Sequence, residues 1–253
     1  MTVTRRGRVW GLVAGEAASR GGRVSAADAC VAAVAGVGVT GAWLSAANGA
    51  EPAGHLMWVT DAVSELLAEL QLTLGEGPGP DATASGGPVL ASDLGELETG
   101  RRWPVFAPAA RQAGAAAIFA FPLRIGAIQS GVMGLYRDRA GPLSSGQLGD
   151  ALIFADTATL LLLSADQADQ AGVGAAGAGP GGQPADLAGH RAEIDQATGM
   201  LTEQLGVGIA EAFIRLRAYA YLHDRPLADL ARDIVARRLR LGSGLGPSED
   251  GRP

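Results

Sequence analysis

Lysine is absent from the 253 residues; all 20 basic side chains are arginine. Chemistry that needs a lysine ammonium, such as a Schiff base or the cation of a phosphate-binding loop, is excluded. Uniform arginine beside 38 glycines and abundant alanine reads as GC-rich coding, not as a physical demand. Cys30 is the one cysteine, so an intramolecular disulfide, a CxxC redox pair and a multi-cysteine zinc site are excluded as well. Aromatic residues make up 5% of the chain, and its three histidines, His55, His190 and His223, stand in separate segments without metal-ligand spacing. No G-x-S-x-G elbow occurs, and nothing pairs two carboxylates as acid and base. The expectation is a non-enzymatic chain with no catalytic residues, no metal and no cofactor. Long apolar runs are missing too. Leu152–Leu163 contains Asp156 and Thr157 and falls short of the roughly 20 residues that span a bilayer. Glu16 and Arg20 interrupt the apolar start at Trp10 too early for a signal peptide. The expectation is a cytoplasmic protein without a membrane segment.

What is present divides the chain. Residues 170–184 read QAGVGAAGAGPGGQP, without apolar periodicity, and ordering them would cost entropy while burying little. We therefore expect an N-terminal extension at 1–24, a larger domain at 25–168, a Gly/Ala/Pro linker at 169–185, a helical domain at 186–241 and a disordered tail at 242–253. The formal net charge of −6 argues against nonspecific binding of polyanions by bulk charge. The split refines that. Residues 1–186 hold 11 arginines and 17 acids, whereas residues 187–241 hold eight arginines and seven acids. The basic excess is local, in Arg232, Arg237, Arg238 and Arg240 against Asp233.

The larger domain mixes two periods. Ala26–Val37 predicts a helix with Cys30 on its buried stripe, and Val39–Ser45 and Leu56–Thr60 predict strands. Asp61 is placed to cap a helix carrying Val63, Leu66, Leu67 and Leu70 at i, i+3, i+4, i+7 spacing. Gly75-Glu-Gly-Pro-Gly-Pro80 ends it. This loop reads as a turn lining a cavity, because Pro78 and Pro80 remove amide donors that a phosphate cradle needs. Pro88–Ser92 predicts a short strand, and Pro104 and Gly114 bracket a helix. Ala117–Arg124 and Ser130–Arg137 predict a hairpin. Ser144-Ser-Gly-Gln147 is a capping box opening a long helix with Leu148, Leu152, Ala155, Thr159 and Leu163 on one stripe. Strands flanked by helices fit an α+β domain with one antiparallel sheet. The second domain predicts three amphipathic helices, over Leu187–Leu205, Ile209–His223 and from Leu227, forming a small all-α bundle. Gly199 interrupts the first of them at a cost relative to alanine; close helix packing accounts for it best, with close approach of RNA as the alternative.

The helical domain resembles the ANTAR domain, an RNA-binding module of bacterial transcription antiterminators. Ile194-Asp-Gln-Ala-Thr-Gly-Met-Leu201, Glu211-Ala-Phe213, Leu216-Arg-Ala218, Arg225-Pro-Leu-Ala-Asp-Leu-Ala231 and Ile234-Val235 carry the resemblance. Many such domains have lysine where this chain has Thr198. The larger domain resembles a GAF domain of actinobacterial GAF–ANTAR regulators, through Leu70-Gln-Leu-Thr-Leu-Gly-Glu-Gly-Pro78, Pro88-Val-Leu90, Asp93-Leu94, Arg102-Trp-Pro104, Phe119-Ala-Phe-Pro-Leu123, Gly134-Leu-Tyr136 and Gly141-Pro-Leu143. Related sequences often carry cysteine where this chain has Gly79.

The resemblance implies a sensory GAF domain open to a small-molecule ligand, and an ANTAR domain that binds RNA hairpins in nascent transcripts as a homodimer. RNA loops are read through splayed bases, stacking and phosphate contacts, for which arginine and tyrosine are suited. The candidate RNA-binding residues are Arg191, Gln196, Thr198, Arg215, Tyr219, Arg232, Arg237 and Arg238; Phe213 is expected in the core. Two rival readings stand beside this one. The first is a regulator that puts its helices in a DNA groove. The second is a GAF ligand-binding protein whose helical tail only dimerises.

Overall fold

The computed structural model describes residues 4–48, 51–126, 128–170, 184–223 and 225–242. The chain separates into two compact units, Met1–Pro184 and Ala185–Pro253. Most of the expected linker, 171–183, and the tail at 243–253 lie outside the described residues.

The first unit is built on five antiparallel strands: β1 (Gly41–Asn48), β2 (Glu51–Val59), β3 (Val89–Ala91), β4 (Ala117–Ile125) and β5 (Ile128–Arg137), in spatial order β2-β1-β5-β4-β3. Alternation along β4 assigns its side chains to two cores. Ala117, Phe119, Phe121 and Leu123 join Met133 and Leu135 of β5 on one face, under α1 (Arg5–Arg20), α2 (Ala26–Val37) and α7 (Ser145–Gln170). Ile118 and Ala120 join Trp43, Val132 and Tyr136 on the other face. That face is covered by α3 (Ala62–Leu74), α4 (Pro78–Ser85) and α6 (Phe106–Gln112), with α5 (Leu97–Arg102) leading into α6. Trp43 pairs with Gly134 across the sheet, and a Cβ on Gly134 would fall 2.1 Å from the indole. Glycine there is what admits the tryptophan.

Local signals produce the expected elements. The Asp61 carboxylate accepts the Ser64 amide at 2.8 Å, capping α3. Ser144 and Gln147 exchange both hydrogen bonds of the capping box, at 2.9 and 3.2 Å, ahead of α7. Burial departs from the predicted stripes where alanine is involved. On α3 the buried side chains are Ser64, Leu67, Ala68, Gln71 and Leu72, while Leu66 is largely exposed. On α7, Ala155 and Thr159 of the expected stripe are buried, but Leu152 is exposed and Ala151, Phe154 and Ala158 are buried instead. Small residues there meet Ala29 and Ala33 of α2 in the same core, allowing close helix approach that a leucine seam would prevent.

The expected N-terminal extension is a helix of this unit. Val9, Val13 and Ala17 of α1 are buried, and Val9 and Val13 belong to the core that contains Cys30. Arg5 and Arg8 pair with the buried Asp150 of α7. The apolar stretch of α7 is longer than its sequence suggested. Ser145–Ala165 is 21 residues long and apolar enough to cross a bilayer by length and composition. It nevertheless buries Ala151, Phe154 and Ala158 as a core helix against the sheet.

Gly75-to-Pro80 does more than end α3. Gly75 is its left-handed cap, Gly77 caps α4, and Pro78 occupies the first turn of α4, where a missing N–H costs nothing. The buried Gln71 amide group accepts the Gly79 N–H at 2.7 Å and donates to the Leu67 carbonyl at 3.2 Å. Glu76 accepts the Val105 and Phe106 amides, both at 3.1 Å. The loop is a packed turn whose Gly79 donor is already used. Cys30 is fully buried, and that burial, followed by the Asp61 charge, pushes its thiol far above the ordinary range.

Candidate functional site

The second unit contains α8 (Pro184–Leu205), α9 (Ile209–Leu222) and α10 (Leu227–Val235). Its core is Ile194, Ala197 and Leu201 of α8; Ala212, Phe213, Leu216, Tyr219 and Ala220 of α9; and Leu227, Leu230, Ala231 and Ile234 of α10. Phe213 is a core residue as expected, whereas Ile209 lies outside. The chain after α10 returns to the bundle: Leu241 is buried, and Gln204 of α8 donates to its carbonyl at 2.5 Å.

Two candidate contacts move to the interior. Thr198 is 3% exposed, and its hydroxyl donates to the Ile194 carbonyl at 2.7 Å. It is a core hydroxyl satisfied by its own helix, and no RNA can reach it there. Tyr219 is 6% exposed, with its ring centroid 4.0 Å from that of His223. Tyr221, two residues on and therefore on the opposite side of the helix, is the exposed tyrosine. Gln196 and Gly199 remain on the exposed face of α8. A Cβ at Gly199 would meet nothing within 4 Å, so packing within this unit does not account for the glycine.

The arginines divide into paired and open groups. Arg232 joins α10 to α8 through Glu193, at 3.2 Å, and also holds Asp229 at 2.7 Å. Its guanidinium donates to Glu193 and Asp229, and these hydrogen bonds, Glu193 first, raise its pKa further and tie α10 to α8. Asp233 sits between Arg225, at 2.6 Å, and Arg238, at 2.7 Å. Their hydrogen bonds, Arg225 first, hold its carboxyl below the usual carboxylate range. Two arginines around one carboxylate leave a surplus positive charge. Arg215 bonds Glu211 one turn earlier, at 2.5 Å, and the Arg217 guanidinium lies 5.7 Å from the Phe213 ring centre. The side chain of Arg191 lies outside the described residues. Arg237 and Arg240 are exposed, and neither has an ion-pair partner among the described residues.

Arg237 is also the one non-glycine among the described residues with positive φ, +56°. It closes α10 in the position where glycine is usual, with its amide and that of Arg238 returning to Ile234 and Asp233 at 2.9 and 2.8 Å. The result is a basic end to α10: Arg225 and Arg238 hold Asp233, and the neighbouring Arg237 and Arg240 are exposed. Charge counting along the sequence finds Arg237, Arg238 and Arg240 beside Asp233; the arrival of Arg225 and the pairing of Arg232 with Glu193, 39 residues away, depend on the fold.

Residues 188–235 match the ANTAR domain family. The C-terminal unit is an ANTAR domain. Such a domain indicates an RNA-binding regulator of the antiterminator type. The N-terminal unit has the fold of a GAF domain. It is similar to the GAF domain of a phosphoenolpyruvate-protein phosphotransferase from Coxiella burnetii, with TM-score 0.50 and 10% identity over 66% of this chain and 99% of that one. The corresponding domain from Acinetobacter aligns with TM-score 0.48 and 11% identity over 64% of this chain and 98% of that one. A domain of a putative two-component sensor histidine kinase from Sinorhizobium meliloti 1021 aligns with TM-score 0.42 and 18% identity over 56% and 91%. No curated protein matches the chain. The architecture is a GAF-like fold followed by an ANTAR domain.

Proposed function

We propose that this chain is a cytoplasmic, homodimeric transcription antiterminator in which the GAF domain senses a signal and the ANTAR domain binds paired hairpins in nascent mRNA. Binding holds the transcript in a form that prevents a terminator from folding. The observation that carries this reading is an ANTAR domain whose last helix ends in arginines with unspent charge. Arg237 and Arg240 contact phosphates, Arg238 contributes the surplus around Asp233, and Gln196 beside Gly199 offers a flat polar approach on α8. Arginine suits such a site because its planar fork pairs with phosphate and stacks on splayed bases. Arg215 and Arg232 stabilise the fold. The GAF domain takes a small-molecule ligand and controls the ANTAR domains by releasing or pairing them, since a Gly/Ala/Pro linker transmits leverage poorly.

A gel-shift comparison of the full chain on a tandem-hairpin RNA and on duplex DNA tests the reading. Binding to the RNA with duplex DNA excluded supports it; tight, sequence-dependent binding to duplex DNA alone overturns it. Crosslinking followed by sequencing of bound RNA then names the targets.

A further inference from the structure

Helix α9 is apolar on two opposite sides. One side supplies Ala212, Phe213, Leu216, Tyr219 and Ala220 to the domain core. The other presents Ile214, 61% exposed, and Tyr221, 54% exposed. At 3.6 residues per turn, Ala210, Ala218 and Tyr221 fall within about 40° of the direction of Ile214, on the side of the helix away from the core. Leu222, also exposed, borders that line. Charged Glu211, Arg215 and Arg217 lie between the two apolar sides, and this domain covers only one of those sides.

We propose that this face of α9 packs against the same face of a second copy of the chain, antiparallel, about a two-fold axis level with Ile214. A two-fold contact requires a self-complementary surface, and the stripe is one. Ile214 meets its own counterpart. Ala210 and Ala218, one turn away on either side, are small enough for the helix backbones to approach. Charge follows the same symmetry. Glu211 and Arg215 share one flank and bond each other at 2.5 Å. The axis keeps that flank on the same side in both copies. With a rise of about 1.5 Å per residue, Glu211 then stands within about 3 Å, measured along the helix, of the second copy's Arg215. Each carboxylate therefore faces an arginine of its own helix and one of the other. Tyr221 comes level with the second copy's Val207, at the side-chain-free Gly208 cap. Aliphatic Ile214 and Leu222 offer phosphate nothing and Glu211 on the flank repels it, which favours a second copy; a base stacked on Tyr221 is the competing occupant that the RNA arm of the test reads. Two turns of helix make a small contact, below the roughly 1,200 Å² of a standard interface, so the pairing acts between copies already held close.

Self-crosslinking of the full-length chain tests the register. Cys30 is buried and its thiol is held protonated, so Ile214→Cys introduces the reactive thiol. Tyr221→Cys and Ala192→Cys serve as exposed controls. On the proposed axis, residue 214 meets itself, whereas residue 221 is about 21 Å along the helix from its counterpart. Under mild oxidation we expect Ile214→Cys to form covalent dimer about tenfold faster than either control, because a disulfide closes only when Cβ atoms come within about 4.5 Å. Adding Glu211→Arg should slow that reaction, and adding Arg215→Glu as well should restore it. Circular dichroism checks each fold. Equal rates at 214, 221 and 192 overturn the proposal. So does protection of the Ile214→Cys thiol by added hairpin RNA without preferential crosslinking, which would make this an RNA face. Since the crosslinking rates are read without RNA, the proposal stands or fails separately from the antiterminator reading.

Discussion

Replacing Arg237 with glycine separates what its backbone does from what its side chain does. The residue holds φ at +56° at the end of α10. For a residue with a Cβ that conformation costs about 1 kcal/mol or somewhat more, and glycine adopts it freely. Part of the relief is returned, because glycine also gives the unfolded chain more freedom. Arg237→Gly is therefore expected to raise the unfolding midpoint of the helical unit by up to about 4 °C. If Arg237 served only the fold, RNA affinity would follow stability or stay unchanged. If its guanidinium meets a phosphate, affinity falls while stability rises. Each phosphate contact to single-stranded RNA contributes about 0.7 to the slope of log affinity against log salt. Between 50 mM and 200 mM salt, losing one contact then reduces the affinity ratio about 2.6-fold. Fluorescence anisotropy with a tandem-hairpin RNA at several salt concentrations reads both affinity and slope. Wild-type affinity and slope in Arg237→Gly would refute the phosphate assignment, and a lowered unfolding midpoint would refute the strain argument.

Other substitutions discriminate between fold and contact in the same way. Arg232→Ala breaks the Glu193 and Asp229 pairs, so denaturant should unfold the ANTAR domain earlier while the salt slope of RNA binding is retained; a reduced slope would restore Arg232 to the interface. Thr198→Val keeps shape and loses only the bond to Ile194, and hairpin affinity should match wild type within about twofold. In the GAF domain, Gly134→Ala drives a methyl into Trp43 and should cost about 1–3 kcal/mol of stability, with a shift in tryptophan fluorescence on denaturant titration. Burial alone would raise the Asp28 carboxyl, but hydrogen bonds from Arg20 and Ser25 and the Arg20 charge bring it below its ordinary value. A carboxylate lowered by folding contributes stability that is fully present above about pH 4 and is lost as pH falls through the folded value. Asp28→Asn should flatten that acid limb; an unchanged pH profile between about pH 2 and 6 would show that the Arg20 pair carries none of it.

Features coded by neighbouring residues were legible. Asp61 capping α3, the Ser144–Gln147 box and the span of α2 each rest on hydrogen bonds or periodicity confined to a few residues. Two helices escaped for local reasons too. Pro78 and Pro80 mask α4 because they resemble a loop unless their place in a first turn is considered. The α1 stripe of Val9, Val13 and Ala17 is narrow and flanked by arginines. The leucine-led stripes on α3 and α7 were rotated away from the real ones because alanine carries little hydrophobic signal yet permits the closest packing. At the candidate site, the basic end of α10 was visible as a run of arginines, but the roles within it were not. Arg232 became a clamp, Thr198 a core hydroxyl and Tyr219 a packed ring through contacts with other turns or helices.

By itself the sequence determined the two-domain order, the antiparallel α+β domain, the helical ANTAR module and the absence of lysine. These follow from composition, period and caps, which act over one or two turns of chain. Only the tertiary structure decided which arginines are ion-paired and which stay open. An ion pair such as Glu193–Arg232 closes across 39 residues, and a guanidinium is spent or open according to what the folded chain places within about 4 Å of it. The same holds for α9: its periodicity shows an apolar helix, but only the packed bundle shows which apolar side is covered and which remains open.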